Sequence, residues 1–220
     1  MVYMDHNATT PPNPVVVAAM LPVLTSIWAN PSSQHAAGQE ARRVLATARA
    51  GVACALGCKP AEVVFTSGAT ESNHLAVQGM LEAAPVGRKR VVFSSVEHSA
   101  HMRLARALAS AGVSVDFIPV HGDGTLDVQA AKALIGPDVA LVSLMAANNE
   151  TGVLMPVAEV SALARAAGMP LHVDATQYIG KQPFNFATFG ADAVSLSAHK
   201  LQGPKGVGAL LLRQGVALAP

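Results

Sequence analysis

Charged residues are scarce in this sequence of 220 residues: Asp, Glu, Lys and Arg together make up 13%, and the formal net charge is +1. A chain so close to neutral carries no electrostatic signature of a nucleic-acid partner or of an acidic membrane surface. Long apolar runs are also missing, since no uncharged segment reaches the roughly 18 residues that a membrane span requires. Hydrophobic residues nevertheless make up 51% of the chain. We therefore expect a sizeable core in one domain, or slightly more.

Cysteine is almost absent, and the two that occur, Cys54 and Cys58, lie at the end of a predicted helix. The start of the chain lacks a basic region followed by an apolar run, so nothing indicates export. We expect a reducing, cytoplasmic compartment and free thiols that pack as small buried apolar residues. The eight histidines are scattered without HExxH or Cys/His spacing, so no metal site is predicted.

Residues 1–35 are predicted to form an N-terminal arm and a helix, and residues 36–220 one large domain. The arm is rich in proline and asparagine, which exclude a long helix before residue 15. The apolar stretch 15–28 is typical of a helix that Pro22 would kink or end. A second helix is expected at 35–56, capped by Ser32 or Ser33 and stopped by Gly57.

Strands and helices then alternate. Strands are predicted at 62–68, 90–98, 113–120, 139–150, 170–177, 192–200 and 206–213, with helices at 71–84, 99–112, 126–135 and 156–168. This alternation predicts right-handed crossovers and a mostly parallel sheet, an α/β fold. The link between Lys200 and Gly206 is too short for a crossover helix, so the last of the seven strands is predicted to be antiparallel.

Ligands of open parallel sheets bind beyond the carboxyl ends of the strands. Five of the predicted strands end in polar or small residues there: Gly68, Ala69, Thr70 and Glu71; Glu97 and His98; Asn148, Asn149 and Glu150; Asp174 and Gln177; Ser197, His199 and Lys200. Five converging polar ends are hard to explain as solvated loops, so a ligand site is predicted at this edge.

Three of these features together favour one cofactor. Lys200 leaves an apolar strand among polar and glycine neighbours, and partial desolvation would make its amine a nucleophile toward an aldehyde. The SGATES turn enters a helix and suits a phosphate, although a plain cap by Thr70 with Glu71 fits equally well. Asp174 either caps the next turn or pairs with a protonated ring nitrogen. The ligand that needs an amine, a phosphate site and an aspartate is pyridoxal 5′-phosphate.

Other residues at the strand ends fit around that cofactor. Ser197 and His199 would add donors to the phosphate, and Asn149 and Gln177 would hold the ring hydroxyl. His98 either lies flat over the ring or is a loop histidine whose hydrogen bonds are made within the protein. A nucleotide is the competing ligand, but GxGxxG and GxxxxGK[ST] are both absent after the strands.

Seven strings, in this order and spacing, resemble the cysteine desulfurases of the class V aminotransferase group, fold type I: YMDHNATTP, NPSSQHAAGQEARR, EVVFTSGATESNHLA, VEHSA, NNETG, HVDATQ and SAHKLQGPKGVGAL. The resemblance runs from about Tyr3 to Arg213. It implies a three-layer PLP-dependent transferase large domain, with a seven-stranded, mostly parallel sheet and one antiparallel strand. It also implies a homodimer.

The resemblance implies a role for each site residue. Lys200 matches the lysine that binds pyridoxal phosphate and His98 the histidine that stacks on its ring and moves protons, both catalytic. The remaining cofactor-binding matches are Ala69, Thr70, Ser197 and His199 for the phosphate, Asn149 and Gln177 for the ring oxygen, and Asp174 for the pyridinium nitrogen. The implied reaction takes sulfur from L-cysteine, releases L-alanine and leaves a persulfide on a protein cysteine. Scaffold proteins for iron–sulfur cluster or thiocofactor assembly would accept that sulfur.

Two departures from the family accompany the resemblance. His74 stands where the family usually has asparagine. The family's nucleophilic cysteine, its substrate-binding arginine and its small C-terminal domain would follow residue 220, and Cys54 and Cys58 match none of these. We therefore expect these 220 residues to bind the cofactor without forming a persulfide, and to associate through exposed apolar surface. Open alternatives are another class V aminotransferase, a selenocysteine lyase, or an inactive cofactor-binding dimerisation module.

Overall fold

A single seven-stranded sheet forms the centre of the structure, a computed structural model that describes residues 2–219. The strands are β1 Val63–Thr66, β2 Arg90–Ser94, β3 Ser114–Ile118, β4 Val139–Met145, β5 Leu171–Asp174, β6 Ala193–Ser197 and β7 Gly208–Leu212. Their order across the sheet is β1-β7-β6-β5-β4-β2-β3. Strand β7 runs antiparallel to both β1 and β6, and the other pairs are parallel. The predicted α/β sheet with its antiparallel last strand is therefore confirmed.

Helices cover both faces of this sheet. They are α1 Pro14–Thr25, α2 Ala36–Leu56, α3 Ala69–Glu82, α4 Ser99–Ser110, α5 Val128–Leu134, α6 Val157–Ala166 and α7 Phe186–Phe189. Helices α3 and α4 pack on one face with β2, while α2, α5, α6 and α7 contribute to the core on the other. Every residue of β4, β5 and β6 is buried, as the apolar runs of a doubly covered parallel sheet require. The result is the predicted three-layer arrangement.

Two details of the first helices differ from the prediction: Pro22 does not end α1, and neither serine caps α2. Pro22 lies inside α1, and the helix continues to Thr25. Because α1 is exposed, water can bond the carbonyl that the missing proline N–H leaves free. The cap of α2 is His35, and neither Ser32 nor Ser33 caps this helix. The Nδ1 atom of His35 accepts a hydrogen bond from the Gly38 N–H at 3.2 Å. The helix begins only at Ala36, which places the cap position after both serines. Gly57 ends α2 in the left-handed conformation, as predicted.

The expectation of buried cysteines is also wrong. Cys54 is exposed and Cys58 is half-buried, and both are free thiols. The buried residues of α2 include Ala53, and the next residue along a helix is rotated by about 100° toward solvent. Burial, aided by the negative charge of Glu62, raises the pKa of the Cys58 thiol.

The N-terminal arm does not stand apart from the sheet. The Thr10 N–H donates to the His199 carbonyl, and the Asn13 N–H donates to the Gln202 carbonyl, each at 2.8 Å. These bonds lay the arm over the turn that follows β6. Within residues 2–219, no helix combines the length and the apolar character needed to cross a bilayer.

Candidate functional site

A cavity of about 740 Å³ opens beyond the carboxyl ends of β4, β5 and β6, with the start of α3 on one side and the N-terminal arm on another. The structure brings all nine predicted site residues to its wall: Ala69, Thr70, His98, Asn149, Asp174, Gln177, Ser197, His199 and Lys200. In particular, Lys200 and Asp174 open onto the same cavity. The site is thus assembled by residues from four strand ends and one helix start, which are far apart in sequence.

Lys200 lies in a short 3-10 turn, Ala198–Lys200, that directly follows β6. Its Nζ donates to the backbone carbonyls of Asn7 and Ala8 in the N-terminal arm. Burial lowers the pKa of Lys200, and the positive charge of Lys181 lowers it further, whereas Asp174 and Asp5 oppose both effects. The amine is therefore closer to its neutral, nucleophilic form than an exposed lysine.

Asp174 ends β5 and is 6% exposed. Its Oδ1 accepts from the Thr176 N–H at 3.0 Å, so the predicted turn cap exists. Its Oδ2 accepts from Asn73 Nδ2 at 2.7 Å, while the residue as a whole still lines the cavity. The two alternatives for this aspartate are therefore compatible, because each carboxylate oxygen can accept more than one hydrogen bond.

The start of α3 offers backbone N–H groups to the cavity. Gly68 is the N-cap, and no side chain among residues 2–219 caps the helix there. The alternative of a cap by Thr70 with Glu71 is wrong, since Glu71 Oε2 instead turns back to accept from the Ser67 N–H at 2.6 Å. An uncapped N-terminus of a 14-residue helix is an arrangement that binds anions.

Strand β7 holds this turn in place from behind. A Cβ atom added at Gly208 would lie 2.6 Å from the Gly68 Cα and 2.7 Å from the Leu196 carbonyl oxygen. Only glycine permits β7 to approach the two backbones so closely. On the other side of the turn, buried Ser197 lies with its Oγ 3.8 Å from the Cβ position that Gly68 lacks.

Both histidines of the cavity wall have protein partners. His199 Nδ1 lies 3.2 Å from Thr9 Oγ1, and burial, followed by the charges of Lys200 and Lys205, lowers the pKa of His199. His98 is the N-cap of α4, and its Nδ1 accepts from the Ala100 N–H at 3.3 Å. His98 is thus a satisfied cap and also an exposed wall residue.

The two predicted amides also make contacts within the protein. Asn149 Nδ2 donates to Glu150 Oε1 at 2.6 Å. Gln177 Nε2 donates to the Asn7 carbonyl at 2.9 Å, and its Oε1 accepts from Lys181. Their contact with a ring oxygen stays a prediction, and it would require these side chains to exchange partners.

A chain of buried polar side chains crosses the sheet behind the cavity. Glu97 Oε1 accepts from the Met145 N–H at 2.7 Å, and its Oε2 lies 3.0 Å from His101 Nδ1. From His101 the chain continues through Ser143 to His172 Nδ1 and from His172 Nε2 to Ser195. Burial holds the pKa of His172 well below its ordinary value, with the nearby His101 adding to the effect. These bonds fix the turn that carries His98, because Glu97 is its neighbour.

Sequence reasoning missed two contributors. Asn73 is buried one helical turn after the start of α3 and contacts Asp174. Its spacing from Ala69 and Thr70 on a predicted helix was a usable signal. The other is the arm, whose Asn7 and Ala8 carbonyls bind Lys200. Nothing in local sequence patterns predicts such backbone contacts.

Comparison with known proteins gives concordant results. The profile of the family described as "Aminotransferase class-V" matches residues 2–219. A cysteine desulfurase of Frankia sp. (strain EuIK1) is 49% identical over 219 residues, which covers 96% of this chain and 52% of the relative. Another, from Cereibacter sphaeroides, is 48% identical and is covered over 57% of its length. The chain therefore spans about half the length of the curated relatives it matches.

Solved structures agree with this at the level of the backbone. One described as "NIFS-LIKE PROTEIN" superposes with a TM-score of 0.96 at 37% identity, covering 100% of this chain and 60% of the other. A second, "SspA in complex with cysteine", has a TM-score of 0.95 at 33% identity, with 100% and 64% covered.

Proposed function

This chain belongs to the class-V aminotransferase family, and on that premise we propose that it serves a pyridoxal 5′-phosphate-dependent cysteine desulfurase. The reaction removes sulfur from L-cysteine, giving L-alanine and an enzyme persulfide for iron–sulfur cluster or thiocofactor assembly. The observation that carries the proposal is the convergence of the Lys200 amine, the Asp174 carboxylate and the uncapped start of α3 on one cavity. The similarity to proteins named cysteine desulfurases supports it.

The residues present fit this cofactor. Lys200 supplies an amine of lowered pKa and Asp174 a buried carboxylate. Helix α3 supplies N–H groups that no described side chain caps. These three groups suit, respectively, an aldehyde, a ring nitrogen and a phosphate. When bound, the cofactor supplies an electron sink for the pair of electrons left when a substrate proton is removed.

Each protein group has a proposed task around that cofactor. Ala69 and Thr70 bind the phosphate through the start of α3, with Ser197 and His199 beside them. Asp174 pairs with the ring nitrogen, Asn149 and Gln177 hold the ring oxygen, and Lys200 forms the covalent link.

His98 stacks on the ring and moves protons. Because its Nδ1 accepts from Ala100, the neutral imidazole carries its hydrogen on Nε2. Nε2 is therefore the ring atom from which His98 can donate a hydrogen to the substrate.

Neither Cys54 nor Cys58 is proposed as the sulfur acceptor. Neither residue lines the cavity, and burial holds the Cys58 thiol toward its protonated, less nucleophilic form. After addition of L-cysteine and pyridoxal phosphate, mass spectrometry of the chain is expected to find no persulfide on either residue. A persulfide on Cys54 or Cys58 would contradict this assignment.

Finer statements rest on the resemblance to the family. We propose a cytoplasmic homodimer that passes sulfur to scaffold proteins. A relative named cysteine desulfurase IscS, from Anaeromyxobacter dehalogenans, is 46% identical over 214 residues. This similarity supports the desulfurase activity more directly than it supports the compartment, the homodimer or the scaffold partners. The structure of SspA contains cysteine, which supports L-cysteine as the substrate.

Covalent trapping tests the proposed function. The chain is mixed with pyridoxal phosphate, reduced with borohydride and digested, and the modified lysine is identified by mass spectrometry. We expect the label on Lys200 and its loss in Lys200→Ala. Lys132→Ala, an exposed lysine of α5, is the matched control and should label as the unmodified chain does. Equal labelling of surface lysines, unchanged in Lys200→Ala, would refute the proposal. Alanine release from L-cysteine then tests the reaction itself.

A further inference from the structure

Asn73 occupies an unusual position for an asparagine. It lies one turn into α3 and is 2% exposed, yet it forms part of the cavity wall. Its Nδ2 donates to Asp174 Oδ2 at 2.7 Å. Its Oδ1 is buried, and no residue among those described donates a hydrogen bond to it.

The orientation of this amide is determined by Asp174. Turning the amide over would place Oδ1 against a carboxylate oxygen, which is a contact between two acceptors. The arrangement seen satisfies the carboxylate and leaves the amide oxygen unpaired, at a free-energy cost to the folded state. A residue that served packing alone would be better as an apolar side chain, as at Ala76 and Val77 on the same helix.

We propose that Asn73 is a positioning residue that holds the Asp174 carboxylate in register with the ring nitrogen of the cofactor, a proposal that rests on the function proposed above. Two donors from different elements grip Asp174: the Thr176 N–H on Oδ1 and Asn73 Nδ2 on Oδ2. Together they prevent the carboxylate from rotating.

Asn73 also connects two ends of the site. It follows Ala69 and Thr70 by a single turn of one rigid helix, so its side chain ties the phosphate end of the cavity to the aspartate of β5. The spacing between these two contacts with the cofactor is thereby fixed before the cofactor binds. Such preorganisation increases affinity because less ordering remains to be done on binding.

A comparison of two ligands tests this role without reference to activity. The dissociation constants of the apo chain are measured by equilibrium dialysis for pyridoxal 5′-phosphate and for its 1-deaza analogue, which has CH in place of the ring nitrogen. The unmodified chain is expected to prefer the ligand with the nitrogen. In Asn73→Leu we expect that preference to fall roughly tenfold, the effect of one hydrogen bond to a charged group. Affinity for the deaza analogue should change by no more than about twofold.

Two further variants keep the test decisive. In Asn73→Ser the hydroxyl is too short to reach Asp174, so this variant should lose the same preference. Because serine is smaller than asparagine, it tests the role of Asn73 even if leucine does not fit the buried site. His74→Leu, the next position on α3 and outside the cavity wall, is the matched control and should retain it. An equal loss of affinity for both ligands in the Asn73 variants would overturn the inference and leave the proposed function standing. Failure of the unmodified chain to bind pyridoxal phosphate would overturn both.

Discussion

At the scale of single residues, the property that matters most is the charge state of Lys200. Its pKa is lowered first by burial and then by the positive charge of Lys181, with Asp174 and Asp5 acting in the opposite direction. An amine attacks an aldehyde only as the neutral base, so a lower pKa increases the reactive fraction at neutral pH. Lys200 and Lys181 therefore have different tasks: Lys200 reacts, and the positive charge of Lys181 lowers its pKa.

Replacing Lys181 should make Lys200 harder to deprotonate. The rate at which pyridoxal phosphate attaches to the chain is expected to rise with pH and to level off above the pKa of Lys200. In Lys181→Gln the repulsion that lowers this pKa is gone, so the midpoint should move to higher pH, by a few tenths to about one unit. Glutamine retains an N–H donor for Gln177. The rates are followed by absorbance across a pH series.

The control for this prediction is Lys205, a lysine of the cavity wall. Lys205 contributes to the lowered pKa of His199 and is not among the causes of the shift at Lys200. Lys205→Gln should therefore leave the midpoint where it is. A midpoint that moves to lower pH in Lys181→Gln would show that the two amines do not repel each other as the structure indicates.

The sequence was informative about some residues of the site and silent about others. Lys200, Asp174 and Gln177 follow strands whose apolar runs are unmistakable, so their convergence at one edge of the sheet could be predicted. The Asn73 contact depends on the distance between α3 and β5, and the Lys200 contacts depend on the path of the arm. The residues in these contacts are 101 and 193 positions apart in the sequence. Tertiary packing brings them together, and local sequence patterns do not encode it.

At the scale of elements, β7 packs closely against the turn before α3. Gly208 sits against the Gly68 backbone at a distance that leaves no room for a methyl group. Since β7 pairs with both β1 and β6, a displacement of this strand would move the turn before α3 and the turn that carries Lys200 together.

Gly208→Ala should therefore damage both stability and cofactor binding. The added Cβ would meet backbone atoms that cannot rotate away, so we expect the free energy of unfolding to fall by about 1–3 kcal/mol. Affinity for pyridoxal phosphate should fall as well. Urea denaturation of the apo chain and equilibrium dialysis measure the two effects.

Gly51→Ala is the matched comparison, because Gly51 lies inside α2 with no other atom within 4 Å of an added Cβ. There the same substitution should increase the free energy of unfolding by about 0.5–1 kcal/mol, the helix preference of alanine over glycine. Equal stability changes of the same sign in the two variants would mean that the close approach of β7 is not a constraint.

The elements themselves were predictable to different degrees. All seven strands and the four crossover-type helices follow from apolar runs and glycine stops. The short helix α7 was missed because four residues are too few for a periodic pattern. Pro22 does not end α1, because the cost of proline in a helix is reduced where the freed carbonyl faces water.

At the scale of the whole molecule, α1 is the least supported element. None of its 12 residues is buried, and Val15, Leu21, Leu24 and the nearby Trp28 are exposed by 56% to 78%. An isolated helix of this length is marginal in water, and proline and valine weaken it further. Apolar surface of this extent on one helix is typical of a contact surface.

We therefore expect the 220-residue chain to associate through α1. Sedimentation velocity should show concentration-dependent oligomers, and the double variant Leu21→Gln with Leu24→Gln should raise the dissociation constant at least about tenfold, because each leucine loses its burial free energy in the contact. Val86→Gln is the control: Val86 is fully exposed but isolated in a loop distant in sequence from α1, so its replacement should leave the distribution of oligomers unchanged.

A chain that sediments as a monomer at every concentration would show that the exposed face of α1 does not drive association. If the glutamine variant instead loses helix content without changing its association, the contact surface lies elsewhere and α1 depends on its leucines for folding alone.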